Sequence, residues 1–458
     1  LTTSYDEVPY PTAVFPQATP DRLASIARLH GLSPPDIGSA RVLEIGGGDA
    51  LNLLAVAAAY PEVTGLSFDL AGTAVERGRH WAELAGIGNV AIEQMDLLDA
   101  VAGAIAGEWD YVVAHGVYAW VPEPVRAAVF ALIGRVLSPN GVAFVSYNAL
   151  PGGHMRTAMR EMLLLHLEGI ANPGERLERA RHFLEVFAED DSVDEPIVEV
   201  MRRLARAMLE RDPAVLHHDE MGDIYAPQQL VAVANAAAAH GLQWLGDASV
   251  GRFADGFEDI RTVQLRDYAE GRYFRQSLFV RAQAEPERHL NPANIASLYA
   301  ACHGRRTGET EFTADNDRCE VTDPGLIEAL ERLIACFPQR ILCSELFADG
   351  PHLDAMFRMF DAGLITLHAA PAPSVTHSGE RPEASPLARM QLAQDWPTVT
   401  TLDLRGLTIS DPRARAFVPL LDGRRDRDQL AADWAATGHD VPVEAALDMV
   451  ARAGLLRA

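Results

Sequence analysis

The chain is poor in the residues on which secreted and metal-stapled proteins are built. It has 458 residues and only four cysteines, Cys302, Cys319, Cys336 and Cys343. They form no CxxC pair and no mixed Cys/His spacing, which argues against a disulfide framework or a bound metal. Reduced, partly buried thiols are expected instead. No apolar run approaches the ~20 residues that a membrane span needs. The opening residues, LTTSYDEVPYP, show no basic start followed by an apolar stretch, so no secretory signal is visible. A cytoplasmic protein with no membrane partner is expected. Positive charge is also scarce: 39 Lys and Arg stand against 64 Asp and Glu, a formal net charge of −25. Such a surface repels phosphate backbones and makes nucleic acid a poor partner, while it would attract a basic peptide or an amine.

Hydrophobic residues make up 48% and charged residues 22%, which is the balance of a globular chain. The length suits roughly two to four domains. Residues 40–150 alternate short β-type runs with amphipathic helical runs, the pattern of a parallel sheet covered on both faces. The spacing predicts strands RVLEIG (41–46), VTGLSFD (63–69), NVAIEQMD (89–96), YVVAHG (111–116) and VAFVSYN (142–148). Helices are expected over 21–32, 51–60 and 124–137, the first with Asp21 as its cap. Residues 155–240 read as almost wholly helical. Two further β-like runs follow, LQWLGDASV (242–250) and YFRQSLFVRA (273–282).

The expected architecture is therefore α/β. A Rossmann-like, seven-stranded sheet is built from 1–154 and 241–282, with 155–240 as a helical insertion. Residues 283–292 read as a linker, and 371–386, rich in Pro, Ser and charge, as a mobile one. Two smaller α+β units occupy 293–370 and 387–458, and both could be winged helices.

The chemistry centres on VLEIGGGDALN (42–52). A strand ends, the glycines Gly46, Gly47 and Gly48 follow, and a helix begins. Glycines let a backbone turn approach a ligand closely, and the helix N-terminus behind them offers free N–H groups. The dinucleotide spacing GxGxxG is absent, because Leu51 stands where the third glycine would be. Glu44, inside the strand before the turn, suits a cationic amine rather than a phosphate. S-adenosylmethionine (AdoMet) carries such an ammonium. Asp69, about 20 residues beyond the loop at the end of the second strand, is placed to accept ribose hydroxyls, with Leu70 beside it. Asp96 ends the third strand and can accept from an adenine amino group while Leu97 packs on the ring. Three acids at three successive strand ends make AdoMet the expected cofactor, with Asn52 on the following helix included in its site.

Several further segments resemble a known family: SYDEVPYPTAVF (4–15), AHGVYAWVP (114–122), LSPNGVAFVSYNALPGG (137–153) and RDYAEGRYFRQSLFV (266–280). With the glycine loop they resemble class I AdoMet-dependent methyltransferases. More narrowly, they resemble bacterial ones with a helical regulatory region, including protein-lysine methyltransferases that modify outer-membrane proteins. The family loop usually has a cysteine where Gly47 stands and a glycine where Ala50 stands. The resemblance places the 114–122 loop beside the transferred methyl group. His115 could act there as a base or only orient the cofactor.

Tyr118, Trp120, Tyr147 and Asn148 complete the expected acceptor pocket, aromatic faces being favourable to methylamines. Tyr5, Tyr10 and Phe15 could fold over the cofactor as a lid. No metal is expected. His217-His218-Asp219-Glu220 has the composition of a metal cluster, but adjacent residues point apart. Arg272 and Arg275 are expected to pair with acids, and GRRDRDQ (423–429) to be a solvated turn.

The expected reaction is N-methylation of lysine in a protein or peptide. A small molecule or biosynthetic peptide as acceptor, and a non-catalytic AdoMet-binding protein, are the alternatives. The C-terminal units would serve substrate binding or dimerisation, so a homodimer is among the expectations.

Overall fold

A computed structural model describes residues 4–249, 258–289, 291–314, 317–439 and 441–457. Seven strands form one sheet: β1 (Arg41–Ile45), β2 (Thr64–Asp69), β3 (Val90–Gln94), β4 (Trp109–Ala114), β5 (Leu137–Asn148), β6 (Leu242–Asp247) and β7 (Phe274–Arg281). Their order is β3-β2-β1-β4-β5-β7-β6. β1 to β5 pair in parallel, whereas β7 lies antiparallel to both β5 and β6. The order reverses beside β1, where β2 and β4 flank it. That is the switch point at which ligands sit in open α/β sheets, beyond the strand carboxyl ends.

The helices follow the apolar pattern. α1 (Pro20–Leu29), α2 (Leu51–Ala59) and α3 (Gly72–Ala85) cover one face, and α4 (Glu123–Val136) covers the other. α2 is buried on every side, as its unbroken LNLLAVAAA run requires. Asp21 does not cap α1. It lies in the first turn, where its carboxylate takes the Ala369 N–H at 2.8 Å and pairs with Arg340 at 3.0 Å and His368 at 2.7 Å. Those partners belong to the following unit, so a buried charge ties α1 to it.

The helical stretch after β5 divides in two. α5 (Gly152–His166), α6 (Pro173–Glu189) and α7 (Pro196–Leu209) gather around their own small core with Leu216 and Met221. α8 (Leu230–Ala238) does not join them. Its Leu230, Val233 and Ala237 pack into the sheet core with Val136 and Trp244, so the insertion ends earlier than residue 240. α9 (Ile260–Glu270) precedes β7. Residues 250–257, inside the expected core segment, lie outside the described residues.

Residues 292–368 form a unit with a small antiparallel sheet (Tyr299–Ala301, Ile341–Leu342, Thr366–His368), a hairpin and the helices Pro324–Cys336 and Gly350–Asp361. Its apolar residues run on from those under α1 and α2 as one cluster. The C-terminal unit pairs Thr398–Thr400 with Gly406–Thr408 and packs helices around Phe417, Leu430 and Trp434. Residues 371–386 are not a loose tether: Val375 N–H donates to Leu456 O and Ala384 N–H to Leu421 O, fastening the segment along this unit. The basic run 423–429 turns at Gly423 and provides Asp426, which caps the next helix. Among the described residues no helix is long and apolar enough to cross a membrane.

Candidate active site

The glycine turn leaves β1 at the switch point. Gly46 and Gly48 have positive φ, +65° and +58°. A side chain at Gly46 would also meet Val117 Cγ2 at 2.4 Å. Gly46 N–H donates to Phe68 O and Gly48 N–H donates to Asp69 Oδ2, both at 2.9 Å, so the turn is stitched to the end of β2. Ala50, where the family has glycine, adopts φ 58°. It takes the left-handed backbone that glycine would adopt without strain.

Glu44 is only 5% exposed and lies beneath this turn. Its Oε2 accepts from Ser67 Oγ at 2.9 Å and its Oε1 from Asn52 Nδ2 at 3.3 Å. Burial pushes its carboxyl up to about 7, against the opposing pull of these two hydrogen bonds. Asn52 was expected to line the cofactor site. In the structure its Nδ2 donates to Glu44 and its Oδ1 accepts the Phe15 N–H at 3.0 Å.

Asp69 ends β2 and accepts from both Gly48 N–H and Ala71 N–H, and burial raises its carboxyl. Each of its oxygens has a further lone pair for a hydroxyl donor. Leu70 next to it is exposed. Asp96 follows β3 and caps the next turn by accepting Leu98 N–H at 2.8 Å, while Leu97 is buried in the layer below. Glu44, Asp69 and Asp96 thus stand at or beyond the carboxyl ends of three neighbouring strands, as the acid spacing predicts.

The N-terminal segment crosses the sheet end. Asp6 Oδ1 accepts from Thr73 N–H and Oγ1, each at 2.9 Å, at the start of α3. Tyr5 stacks on His218 at 4.2 Å, His218 Nε2 lies 2.6 Å from Val8 O, and Tyr10 donates to Asp219 Oδ1 at 3.2 Å. Thr12 then donates to Asp49 at 2.9 Å, and Phe15 sits 4.0 Å from the His115 ring. The run His217–Glu220 is therefore the dock of this strap. Its Glu220 is held by Arg156 at 2.5 Å and Arg211 at 3.2 Å.

The expected acceptor residues separate. Alternation along β5 puts Phe144, Ser146 and Asn148 on one face and Val145 and Tyr147 on the other. On the first face His115 Nδ1 lies 2.9 Å from Ser146 Oγ, with Phe144 and Phe274 within 6.4 Å of its ring. Phe274 pairs with Asn148 in register. Asn148 is 4% exposed, and among the described residues its Oδ1 has no hydrogen-bond partner.

On the opposite face Tyr118 and Tyr147 are buried core residues, Tyr118 packed on Phe130 at 5.3 Å. Trp120 is also taken up: Arg156 and Arg160 lie over its ring at 5.1 and 5.8 Å and over that of Tyr225 at 5.3 and 5.1 Å. Its face is thus filled by the protein's own cations. Arg272 and Arg275 pair with acids as expected, in a buried network with Asp247 and Asp267.

Residues 42–141 match the Methyltransferase domain family model, and residues 380–440 match that of the PKMT C-terminal winged helix domain. The chain is 35% identical over 224 residues to uncharacterized protein RP028 of Rickettsia prowazekii, covering 48% of this chain and 88% of that one. It is 29% identical over 306 residues to RP789 of the same organism, spanning 64% of this chain but only 55% of that protein. Among solved structures, PKMT2 from Rickettsia typhi superposes with a TM-score of 0.82 at 23% identity, covering 98% of this chain and 100% of that one. The same protein in complex with AdoHcy gives 0.81 at 24% identity, with the same coverage of both chains. The sheet order, the acid-lined switch point and these matches place the chain in the family that includes RP028, among the class I AdoMet-dependent methyltransferases.

Proposed function

We propose that this methyltransferase modifies the side-chain amine of lysine in a protein or peptide, at the mouth formed by His115, Asn148, Phe274 and Phe15. The observation that carries the acceptor site is the Oδ1 of Asn148, buried and without a hydrogen-bond partner among the described residues. A buried carbonyl without a donor is costly, and an incoming amine N–H would satisfy it. The solved Rickettsia typhi neighbour holds AdoHcy, which supports the same ligand between Asp69, the glycine turn and Asp96.

When bound, AdoMet supplies a sulfonium methyl group that passes in line to the amine lone pair and leaves AdoHcy as a neutral thioether. The protein's part is placement and exclusion of water. Asn148 accepts an amine N–H and so directs the lone pair away from itself. Burial pushes the His115 imidazolium down to about 4, so the ring is neutral at ordinary pH and far too weak a base to take the proton of an alkylammonium. His115 orients, and the ammonium proton leaves to solvent before transfer. The strap from Tyr5 to Phe15 bridges α3, through Thr73, and the insertion, through His218 and Asp219. The acidic balance of the chain favours a basic acceptor.

The test is mass spectrometry of lysine-rich proteins, peptides and a panel of small amines after incubation with AdoMet. Methyl groups on lysine Nζ are expected. Methylation of small amines alone would replace a protein by a small molecule as the acceptor. AdoHcy binding without transfer to any amine would remove the acceptor assignment altogether.

A further inference from the structure

The fold leaves no room for a side chain at Gly47. An ideal Cβ at position 47 would lie 2.1 Å from Ser67 Oγ and 2.4 Å from Glu44 Oε2. Those two atoms hydrogen-bond to each other at 2.9 Å. Gly47 is not among the residues with positive φ, so what the position needs is space rather than backbone freedom. Ser67 is fully buried, and in the parallel pairing of β1 with β2 it lies directly opposite Glu44. The hydroxyl thus occupies the volume a loop side chain would take and grips the acid from the neighbouring strand, while Asn52 grips it from α2.

We propose that Ser67 is a positioning residue for AdoMet, acting through Glu44, and that Gly47 and Ser67 form a matched pair in which a side chain at 47 and a hydroxyl at 67 exclude each other. Ser67 holds the Glu44 carboxylate under the turn, and the absence of a side chain at 47 lets the turn rest directly on that carboxylate. Charge for the cofactor's ammonium is then presented from below the loop at a fixed depth. The other ionisable groups around Glu44 are Asp49 and Asp69. Arg77 of α3 pairs with Asp49 at 2.8 Å. Removing the Ser67 hydroxyl removes a hydrogen bond that favours the ionised acid.

The inference rests on the AdoMet reading of the site, and its test separates the two. Calorimetric titration with AdoHcy is made on the full chain as wild type, Gly47→Ala, Ser67→Gly, Ser67→Ala and Gly47→Ala/Ser67→Gly, across pH 6 to 8, with thermal melts as folding controls. Gly47→Ala is expected to weaken binding roughly tenfold or more, since the new methyl overpacks a buried contact. The double variant is expected to bind about as well as Ser67→Gly alone, so that the two losses do not add, a non-additive result that marks direct coupling.

Additive losses, or a Gly47→Ala protein that binds like wild type, overturn the pairing. If Gly47→Ala does not fold, Ser67→Ala decides: the pH at which binding is half lost should rise, and an unmoved midpoint overturns the role of Ser67. A wild-type protein that binds no AdoHcy would instead remove the cofactor reading on which the pairing rests.

Discussion

His115 Nδ1 and Ser146 Oγ lie 2.9 Å apart, and the same oxygen accepts the Gly116 N–H at 2.9 Å. Ser146 Oγ thus ties the ring to the 114–116 turn and fixes its orientation. Held in this way, and with burial pushing its imidazolium down to about 4, His115 orients and is not a base. His115→Gln, which keeps an amide donor, is expected to retain far more activity than His115→Ala, for which a loss of about a hundredfold in kcat matches the loss of orientation. A base role would make the two substitutions equally damaging in steady-state kinetics.

Asn148 is expected to act on the acceptor alone. Asn148→Ala should lower kcat/KM for the amine by roughly ten- to a hundredfold, the worth of one buried hydrogen bond. AdoHcy affinity, read by titration, should stay unchanged. Equal losses in both would place Asn148 in the cofactor site.

The raised carboxyl of Glu44 gives a pH dependence of known sign. A group whose folded-state value stands at about 7 is protonated below that pH, so the charge facing the cofactor's ammonium fades as pH falls through 7. The raised Asp69 contributes in the same direction. AdoMet affinity is expected to drop toward a limit of about tenfold per pH unit below 7. Glu44→Gln should bind more weakly at pH 8 and show a flatter profile, measured by titration at several pH values.

The strap is tied at its start, by Asp6 to Thr73 on one side and by Tyr5 to His218 on the other, and at its end by Thr12 to Asp49 and Phe15 N–H to Asn52. Loosening any of these ties should speed release of the product more than it slows chemistry. Asp6→Ala is expected to raise the AdoHcy dissociation rate about three- to tenfold in stopped-flow measurements, each exposed tie being worth of order 1 kcal/mol. An unchanged rate would mean that the strap does not cover the cleft.

Arg275 has no exposed side-chain surface and pairs with Asp247 at 2.6 Å and Asp267 at 2.7 Å. Arg275→Ala leaves those acids buried without their partner and should cost about 3–5 kcal/mol of stability. Chemical denaturation measures the loss, and AdoHcy affinity of the protein that remains folded should be near wild type.

Much of this was legible in the sequence because the strands carry periodic, apolar runs and the acids stand at their ends. Glu44, Asp69 and Asp96 fall where their spacing along the chain puts them. What stayed hidden depends on which face a residue takes after a turn. Tyr118 and Tyr147 read as pocket aromatics, yet strand alternation sends Tyr147 to the opposite face from Asn148, and Tyr118 packs there too. Trp120 is claimed by arginines from a helix more than thirty residues further on.

Ser67 and Ser146 carried no visible signal, since a serine inside a strand is unremarkable until its partner is known. Phe274 gains its place only from antiparallel register with β5. Alternation puts Ser146 on the face of Asn148 but gives no reason to choose it before His115 is seen beside it. Nothing short of the fold relates Gly47 to Ser67, or Asp21 to His368.

The central claim is tested most directly by calorimetric titration of the purified chain with AdoMet and AdoHcy, comparing wild type with Asp69→Ala. Asp69 closes the glycine turn at the switch point of the sheet. The account predicts micromolar binding of both ligands to wild type and its loss in a variant that remains folded. Failure of wild type to bind either ligand, or undiminished binding by Asp69→Ala, would contradict it.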